Sequence, residues 1–337
     1  MGSLEMNCEK ILRDAYNENK KNIKLPSKIK FSLKNKVLEI FMPQETTVAN
    51  MQTDHGAFES WALAFMSWVD VAMVRLYWDP PKDPKEPNYQ RFIYRVENFL
   101  NLFPKSFEIK DATLLKASER RGGRDLIMNV PSGNRDTSTI KNTAKLLSMS
   151  EDELERKIIE DGSLANKFGL NLLDRQLPVG LFHTCVNSNH RIFTGGKSAI
   201  DLWGANDDGK LYLFELKKYM KSPKLGIISE LLFYTMVAKD IQDGTFTFQD
   251  KDIEEAGPSS PVNIIPETKS IAAYFLTPEC HNHPLLDQND RSIIDLLNDA
   301  MKDDFKRRKM KSPHRPIHFG KIGIHVKDQS FEFLVCE

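Results

Sequence analysis

The sequence predicts an α/β fold with a central mixed sheet in its second half, preceded by an N-terminal α+β domain. From residue 148 onwards, segments of helical and strand periodicity follow one another in the order helix, strand, hairpin, helix, strand. Before residue 117, a strand, a turn and a second strand lead into two strongly apolar segments of helical spacing. Because alternating helices and strands usually pack as layers of one domain, we expect helices to flank the sheet of the second half.

Composition and charge indicate a globular protein in which any nucleic-acid binding is local. The 337 residues include 47 basic and 47 acidic side chains, so the formal net charge is zero. A neutral chain does not coat nucleic acid indiscriminately and must use local basic patches instead. The four cysteines form no CxxC pair, and the N-terminus has no signal-peptide pattern. We therefore expect a cytoplasmic protein.

The N-terminal elements follow from periodicity. Residues 28–43 alternate apolar and polar side chains on both sides of Lys34-Asn35-Lys36, which predicts a strand, a turn and a strand. Apolar residues then recur on nearly every face of a helix over 57–77. After a proline-rich break, residues 89–103 carry apolar side chains at helical spacing. We expect these two helices to pack on each other.

The segment from Trp61 to Trp78 is apolar enough to be considered as a membrane span. It contains Ser67, Asp70 and Arg75, and it barely reaches the ~20 apolar residues that a bilayer requires. We therefore predict a buried core helix and no membrane association. The many aromatic residues in this part of the chain could form a base-stacking platform, but core packing is the interpretation we favour.

A loop rich in Gly, Ser, Asn and charged residues over 117–139 predicts a domain boundary, which we place near residue 135. The chain then divides into an α+β domain, 1–135, for substrate binding or dimerisation, and a second domain, 136–337. Ser148 or Ser150 is the expected N-cap of the first helix of the second domain, because acidic residues follow in its first turn.

The second domain continues with further strands and helices. Strands are predicted at 170–179 and over 191–219, where the turn Asn206-Asp207-Asp208-Gly209 separates the two strands of a hairpin. The remaining predicted elements are a helix at 227–241, a strand at 270–276, a helix at 290–309 and two strands at 317–326 and 330–336.

Two carboxylates and a lysine on the predicted hairpin form the candidate site. Asp201 begins one strand and Glu215 lies on the next, so the turn between them can bring their side chains together. Glu215 and Lys217 share one side of their strand, since side chains alternate, and Leu216 points into the core. An acid and a base on an otherwise apolar strand cost stability unless something compensates for them. A divalent cation, Mg²⁺ or Mn²⁺, would do so and would suit phosphodiester hydrolysis.

These residues belong to a longer pattern. It consists of Glu151-x-x-Leu154, Leu173-Asp174-Arg175, Ile200-Asp201-Leu202, Glu215-Leu216-Lys217 and Glu230-x-x-x-Tyr234. The pattern resembles the catalytic domain of NucS/EndoMS-type endonucleases in the PD-(D/E)xK superfamily. The resemblance implies a restriction-endonuclease-like core, with a central mixed sheet flanked by helices. Residues 1–135 do not resemble the N-terminal domain of that family.

The resemblance also implies a role for each matching residue. Asp201, Glu215 and the backbone carbonyl of Leu216 would be ligands of the metal, with Glu151 as an outer acidic ligand. Lys217 would position and help to deprotonate the attacking water. The cofactor would be Mg²⁺ or Mn²⁺, and the substrate would be nucleic acid, with DNA as our expectation.

The helix after the hairpin would support the site through Glu230 and Tyr234. Glu230 stands where the family has glutamine, and this difference either strengthens metal binding or marks changed chemistry. Basic residues near these segments are the expected contacts to a nucleic-acid backbone. They are Arg175, Arg191, Lys197, Lys218, Lys221 and Lys224.

Three functions remain open on the sequence alone. A metal-dependent DNA endonuclease, acting in repair or in defence against foreign DNA, is the function we expect. The second is a nucleic-acid-binding protein that keeps the nuclease fold without turnover. The third is an RNA-directed nuclease or a nuclease gated by a partner protein. Cleavage of both strands of a duplex would favour a homodimer.

Overall fold

The computed structural model describes residues 7–15, 24–121, 125–131, 149–194, 198–217, 226–278, 292–308, 316–327 and 330–336. The predicted boundary near residue 135 and the basic residues Lys197, Lys218, Lys221 and Lys224 lie outside these ranges. The chain divides into two units. The first comprises Met1–Gly123, Lys221–Glu230 and Pro284–Asp304, and the second comprises Arg124–Met220, Leu231–His283 and Phe305–Glu337.

The α-helices and strands have the following bounds. The helices are α1 (Cys8–Ala15), α2 (Gln44–Thr47), α3 (Phe58–Ala64), α4 (Pro87–Leu102), α5 (Glu151–Asp161), α6 (Ser163–Phe168), α7 (Gly226–Gln242), α8 (Asp250–Glu254), α9 (Pro261–Ile264) and α10 (Ile293–Arg308). The strands are β1 (Lys30–Lys34), β2 (Val37–Met42), β3 (Met73–Trp78), β4 (Phe107–Ile109), β5 (Leu126–Met128), β6 (Leu170–Pro178), β7 (Leu181–His183), β8 (Arg191–Phe193), β9 (Ala199–Asn206), β10 (Lys210–Leu216), β11 (Ser270–Pro278), β12 (Ile317–Lys327) and β13 (Ser330–Cys336). Among the described residues, none of the helices combines the length and the apolar character needed to cross a bilayer.

The first unit contains a four-stranded sheet in the order β1-β2-β3-β4. The β1–β2 pair is antiparallel, and β3 and β4 join it in parallel. The predicted strand, turn and strand are confirmed. Asn35 and Lys36 form the turn with left-handed φ angles of 51° and 62°. Positive φ at both central residues matches the right-handed twist of the two strands that the turn joins.

The predicted helix over 57–77 is wrong in its second half. After α3, a π-helical turn covers Phe65–Val69, and Asp70 ends it with a left-handed φ of 54°. Met73–Trp78 then forms β3, whose side chains alternate between half-buried and buried. A short apolar segment can satisfy both helical and strand periodicity. Pairing with β2 decides between the two, because it gives the backbone of this segment a hydrogen-bonded neighbour in the sheet.

Aromatic packing between α3, α4 and β4 forms much of the core of the first unit. The ring centroids of Phe58 and Phe92 are 5.6 Å apart, and those of Phe99 and Phe107 are 4.7 Å apart. The prediction that the two N-terminal helices pack together is confirmed by the Phe58–Phe92 contact. Core packing is also confirmed for most of the aromatic residues considered as a stacking platform. Those buried are Trp61, Phe65, Trp78, Tyr89, Phe92 and Tyr94.

A buried ion pair lies within the same unit. The Arg95 guanidinium donates to both carboxylate oxygens of Glu59 and to the carbonyl of Gly56, and the side chains of the pair are 3% and 2% exposed. Ser229 Oγ donates to Glu59 Oε2 at 2.9 Å, and its backbone N–H donates to Ser60 Oγ at 3.1 Å. Buried charges are tolerated when their hydrogen-bonding groups are satisfied in this way.

The second unit contains a six-stranded mixed sheet in the order β13-β12-β11-β10-β9-β6. β9 is antiparallel to both β6 and β10, while β10, β11 and β12 are parallel to one another. The predicted order of helix, strand, hairpin, helix and strand is confirmed as α5, β6, β9 with β10, α7 and β11. A smaller sheet, β5-β7-β8, belongs to the same unit.

Helices α5 and α6 cover one face of the six-stranded sheet. Ser150 caps α5: its Oγ accepts from the N–H of Glu153, and its own N–H donates to the Glu153 carboxylate. Of the two predicted N-caps, Ser150 is therefore confirmed. The buried core on this face of the sheet consists mainly of Leu154, Ile158, Leu164, Leu202, Tyr212, Phe214, Leu216, Ala272, Leu276 and Ile322. Because side chains alternate along a strand, Asp201 and Glu215 belong to the opposite face.

We expect Glu59→Ala to lower the free energy of unfolding by about 3–5 kcal/mol, because it leaves the Arg95 guanidinium buried without its carboxylate partner. Glu39→Ala is the matched control, since Glu39 pairs with Arg75 in a contact whose side chains are both 39% exposed. Its loss should cost at most about 1 kcal/mol. Urea denaturation of both variants measures the difference, and equal effects would contradict the prediction.

Candidate active site

The β9–β10 hairpin brings Asp201 to the Glu215-Leu216-Lys217 segment. The last paired residues of the hairpin are Leu202 and Phe214. Continuing that register by one residue puts Asp201 opposite Glu215. The backbone N–H of Leu216 donates to Asp201 Oδ2 at 2.8 Å, so the carboxylate of one strand is held against the backbone of the next.

Glu215 and Lys217 interact directly on the same strand. Lys217 Nζ donates to Glu215 Oε1 at 2.6 Å. Glu215 is buried, with 1% of its side chain exposed, while 24% of the Lys217 side chain is exposed. Leu216 between them is completely buried in the core on the other face. The predicted alternation of these three side chains is therefore confirmed.

Glu155 on α5 is a further acidic residue at this site that the sequence pattern did not identify. Burial, and after it the negative charge of Asp201, raise the pKa of Glu155 to about 8. Gln176 Nε2 donates to Glu155 Oε2 at 2.8 Å, and this bond and the Arg175 guanidinium act in the opposite direction on the pKa. Glu155 is therefore electrostatically coupled to Asp201.

Glu151, the helix residue selected by the pattern, is exposed in the first turn of α5. Glu155 lies one turn later, between the buried residues Leu154 and Ile158. All four positions fall on one stripe of a helix. The signal that could have identified Glu155 is thus its place inside the apolar stripe, because an acid at such a position is buried when the helix packs on the sheet.

Gln176 has an unusual backbone conformation beside the site. It lies on β6 between the pairs Arg175–Leu202 and Leu177–Ile200, and so opposite Asp201. Its φ of 54° is left-handed, a conformation that costs a non-glycine residue free energy and often occurs at functional sites. By backbone position, Gln176, Asp201 and Glu215 form one row across three neighbouring strands, while the Gln176 side chain reaches Glu155 on α5, the helix that covers the other face of the sheet.

The other predicted residues have different surroundings. Arg175 is buried, and its guanidinium forms an ion pair with Asp152 on α5. Arg191 is exposed on β8. Glu230 is completely buried at its position on α7 within the first unit, and Tyr234, further along the same helix, is buried in the second unit.

The donor chemistry of Asp201 and Glu215 suits a hard divalent cation. Mg²⁺ commonly binds through one or two carboxylates, while water and substrate phosphate complete its coordination. Among the described residues, no three acidic, histidine or cysteine side chains are grouped closely enough to hold a metal by themselves. A site here would thus consist of the Asp201 and Glu215 carboxylates with the Leu216 carbonyl. Burial and, after it, the charge of Asp201 raise the pKa of Glu155, so a cation beside Asp201 would lower that pKa.

Comparisons of this chain with protein-family models, with curated proteins and with solved structures find no match. Only the geometry and chemistry of the candidate site therefore indicate what it does.

Glu155 should make the stability of the protein depend on pH. The folded protein binds the Glu155 proton more tightly than the unfolded chain, since folding raises the pKa from 4.5 to about 8. This contribution to the free energy of unfolding is complete below pH 4.5 and is lost as the pH rises through about 8. We expect Glu155→Gln to lose this dependence and to be more stable than the wild type at the upper end of the range.

Urea denaturation in EDTA, at about pH 5 and about pH 8, tests this linkage. Glu160→Gln, at an exposed position of the same helix, is the control and should keep the wild-type pH profile. An unchanged profile in Glu155→Gln would show that Glu155 ionises as it does in the unfolded chain.

Proposed function

We propose that this protein is a metal-dependent endonuclease that hydrolyses phosphodiester bonds of DNA. The observation that carries the proposal is the hydrogen bond from the Leu216 N–H to the Asp201 carboxylate, 2.8 Å long. This bond holds Asp201 of β9 beside the Glu215-Leu216-Lys217 segment of β10. Two hard oxygen donors and a lysine in one small region suit the hydrolysis of a phosphate ester.

The arrangement of the second unit supports a restriction-endonuclease-like core. The acidic helix α5 precedes the hairpin that carries the motif, and α7 follows it. The hairpin lies inside a mixed sheet, with strands paired on both of its sides. These are the surroundings that the PD-(D/E)xK resemblance leads us to expect for Asp201, Glu215 and Lys217.

Each residue would have a distinct part in the reaction. When bound, Mg²⁺ or Mn²⁺ would neutralise charge on the scissile phosphate and lower the pKa of the attacking water. Asp201 and Glu215 would be ligands of the cation. The Lys217 ammonium, which is partly exposed and 2.6 Å from Glu215 Oε1, would orient the water. Glu155 and Gln176 would hold Asp201 in a defined electrostatic environment.

The proposal extends to the setting of the reaction. The cysteines have no CxxC spacing, which agrees with a reducing cytoplasm. Repair of DNA and defence against foreign DNA are the two processes in which such an enzyme would act. Cleavage of two strands would require two copies of the site, as in a homodimer.

One contact favours a second candidate, a nucleic-acid-binding protein with this fold but without turnover. Lys217 Nζ lies at hydrogen-bonding distance from Glu215 Oε1, so the ammonium already balances part of the charge that a metal would balance. A protein in which this ion pair persists would bind nucleic acid without cutting it.

We expect the purified protein to cleave DNA in Mg²⁺ or Mn²⁺ but not in EDTA. Lys217→Ala and Asp201→Asn should each lower the rate by about 100-fold or more, because they remove the water-positioning group or a metal ligand. Lys210→Ala, at the other end of β10, is the matched control and should cleave at the wild-type rate. The substrates are single-stranded, duplex and branched DNA, together with RNA.

Each outcome of this assay separates the candidates. Cleavage that survives in Lys217→Ala would place the chemistry elsewhere. Binding without cleavage in either metal would support the second candidate. Cleavage of RNA alone would assign an RNA-directed nuclease, and activity that arises only with a partner protein would assign a gated one.

Metal binding can be tested without turnover. We expect Mg²⁺ to raise the thermal unfolding midpoint of the wild type, with about 2.7 kcal/mol of stabilisation at about 100 times the Kd. Asp201→Asn should remove this effect, because it removes a charged ligand from the site. Asp208→Asn, in the exposed turn of the same hairpin, is the control. An equal increase in all three proteins would contradict a cation bound by Asp201.

A further inference from the structure

One face of the sheet in the first unit carries a row of two aromatic rings between two lysines. Lys30 on β1 is paired with Phe41 on β2, and Phe41 is paired with Tyr77 on β3. Lys110 directly follows β4, and its N–H donates to the carbonyl of Leu76 at 3.0 Å. The row thus crosses all four strands. With neighbouring strands roughly 4.8 Å apart, it is on the order of 14 Å long.

The side chains of this row lie close together. The ring centroids of Phe41 and Tyr77 are 5.2 Å apart, with an interplanar angle of 33°. Lys30 Nζ lies 5.4 Å from the centroid of Phe41, and Lys110 Nζ lies 4.9 Å from that of Tyr77. Each ring therefore has an ammonium group within the range of a cation–π interaction.

This face differs from the one that forms the core. On β2 and β3 the alternate side chains Leu38, Ile40, Val74 and Leu76 are completely buried. Phe41 and Tyr77 are only half-buried, and Lys30 and Lys110 are exposed. Most aromatic residues of the first unit contribute to the core, as described above, whereas these two rings keep part of their surface accessible. The core face of the sheet does not include this pair of aromatic residues.

The charge of the face suits a polyanion. Next to the aromatic row, Arg75 forms ion pairs with Glu39 at 3.1 Å and with Glu108 at 2.6 Å. These two acids share one cation, which offsets one of their two negative charges. Lys30, Lys34 and Lys110 add positive charge at the edges of the same face. With Arg75, these lysines give the face four cationic side chains against the two carboxylates, so a chain of phosphates would meet a net positive field here.

We propose that this face binds single-stranded DNA, with bases stacked on Phe41 and Tyr77 and phosphates beside Lys30 and Lys110. Aromatic side chains accept unpaired bases of any sequence, and lysines contact the backbone between them. A duplex cannot use the rings in this way because its base faces are already stacked. The choice of DNA over RNA rests on the proposed function, whereas the stacking surface does not depend on cleavage.

The stacking contact is tested with the full chain and a fluorescent oligothymidylate of about 15 nucleotides, a length within the range of site sizes of single-strand-binding OB-folds. EDTA prevents metal-dependent cleavage while fluorescence anisotropy measures the affinity. The double variant Phe41→Leu, Tyr77→Leu keeps apolar side chains on the strands but loses both rings. It should bind about tenfold more weakly or worse. Tyr77→Phe keeps the ring and should bind as the wild type does.

The lysines are tested through the salt dependence of binding. The slope of log K against log salt concentration should become shallower by about 0.7 for each lysine that contacts a phosphate of a single strand. We expect this change in Lys30→Gln and Lys110→Gln. Lys82→Gln and Lys105→Gln remove the same charge from exposed positions of the first unit outside the row, and they should leave the slope unchanged.

Three results would overturn the proposal. The first is an unchanged affinity in the double leucine variant whose circular dichroism and unfolding midpoint match those of the wild type. The second is binding of oligouridylate but not of oligothymidylate. The third is self-association that the double variant abolishes while DNA binding persists, which would make this face an interface between copies of the chain.

The outcome is separable from that of the proposed function. Ring-dependent DNA binding in a protein that cleaves nothing would refute the endonuclease and leave this inference standing. Metal-dependent cleavage in a protein whose DNA affinity is indifferent to Phe41 and Tyr77 would do the reverse.

Discussion

The register of β9 against β10 is the constraint on which the candidate site depends. A shift of one residue in a strand moves every side chain to the other face of the sheet. Leu202 and Phe214 are paired and lie in the core beneath α5 and α6, so burial of these residues selects the register. Asp201 and Glu215 then share the opposite face as a consequence. Burial of the apolar residues thus determines the face of the sheet on which the two acids lie.

Acidic side chains near this sheet are balanced by a small set of polar neighbours. Arg175 forms an ion pair with Asp152, Gln176 donates to Glu155, and Lys217 donates to Glu215. The balance is incomplete at Glu155, where burial and the charge of Asp201 raise the pKa. Packing of α5 on the sheet therefore has an electrostatic cost, and sites with such costs are frequently functional.

The two units use aromatic and charged residues in different ways. The first unit buries most of its aromatic side chains between the sheet and α3 and α4, together with the Arg95–Glu59 ion pair. The Phe41–Tyr77 row lies on the other face of that sheet and is bounded by lysines. Stacking and phosphate contacts there would supply affinity for a strand, while the carboxylates and Lys217 of the second unit would supply the chemistry. The two proposals therefore rest on different residues and different physics.

Local patterns in the sequence determined the β1–β2 and β9–β10 hairpins, the Ser150 cap and the alternation of Glu215, Leu216 and Lys217, because turn chemistry and periodicity act over a few residues. Tertiary structure decided what depends on distant neighbours. Met73–Trp78 became a strand because β2 pairs with it, and Glu155 came to be coupled with Asp201 because α5 packs on the sheet. Periodicity records which side of an element is apolar, but it does not record which distant element that side will meet.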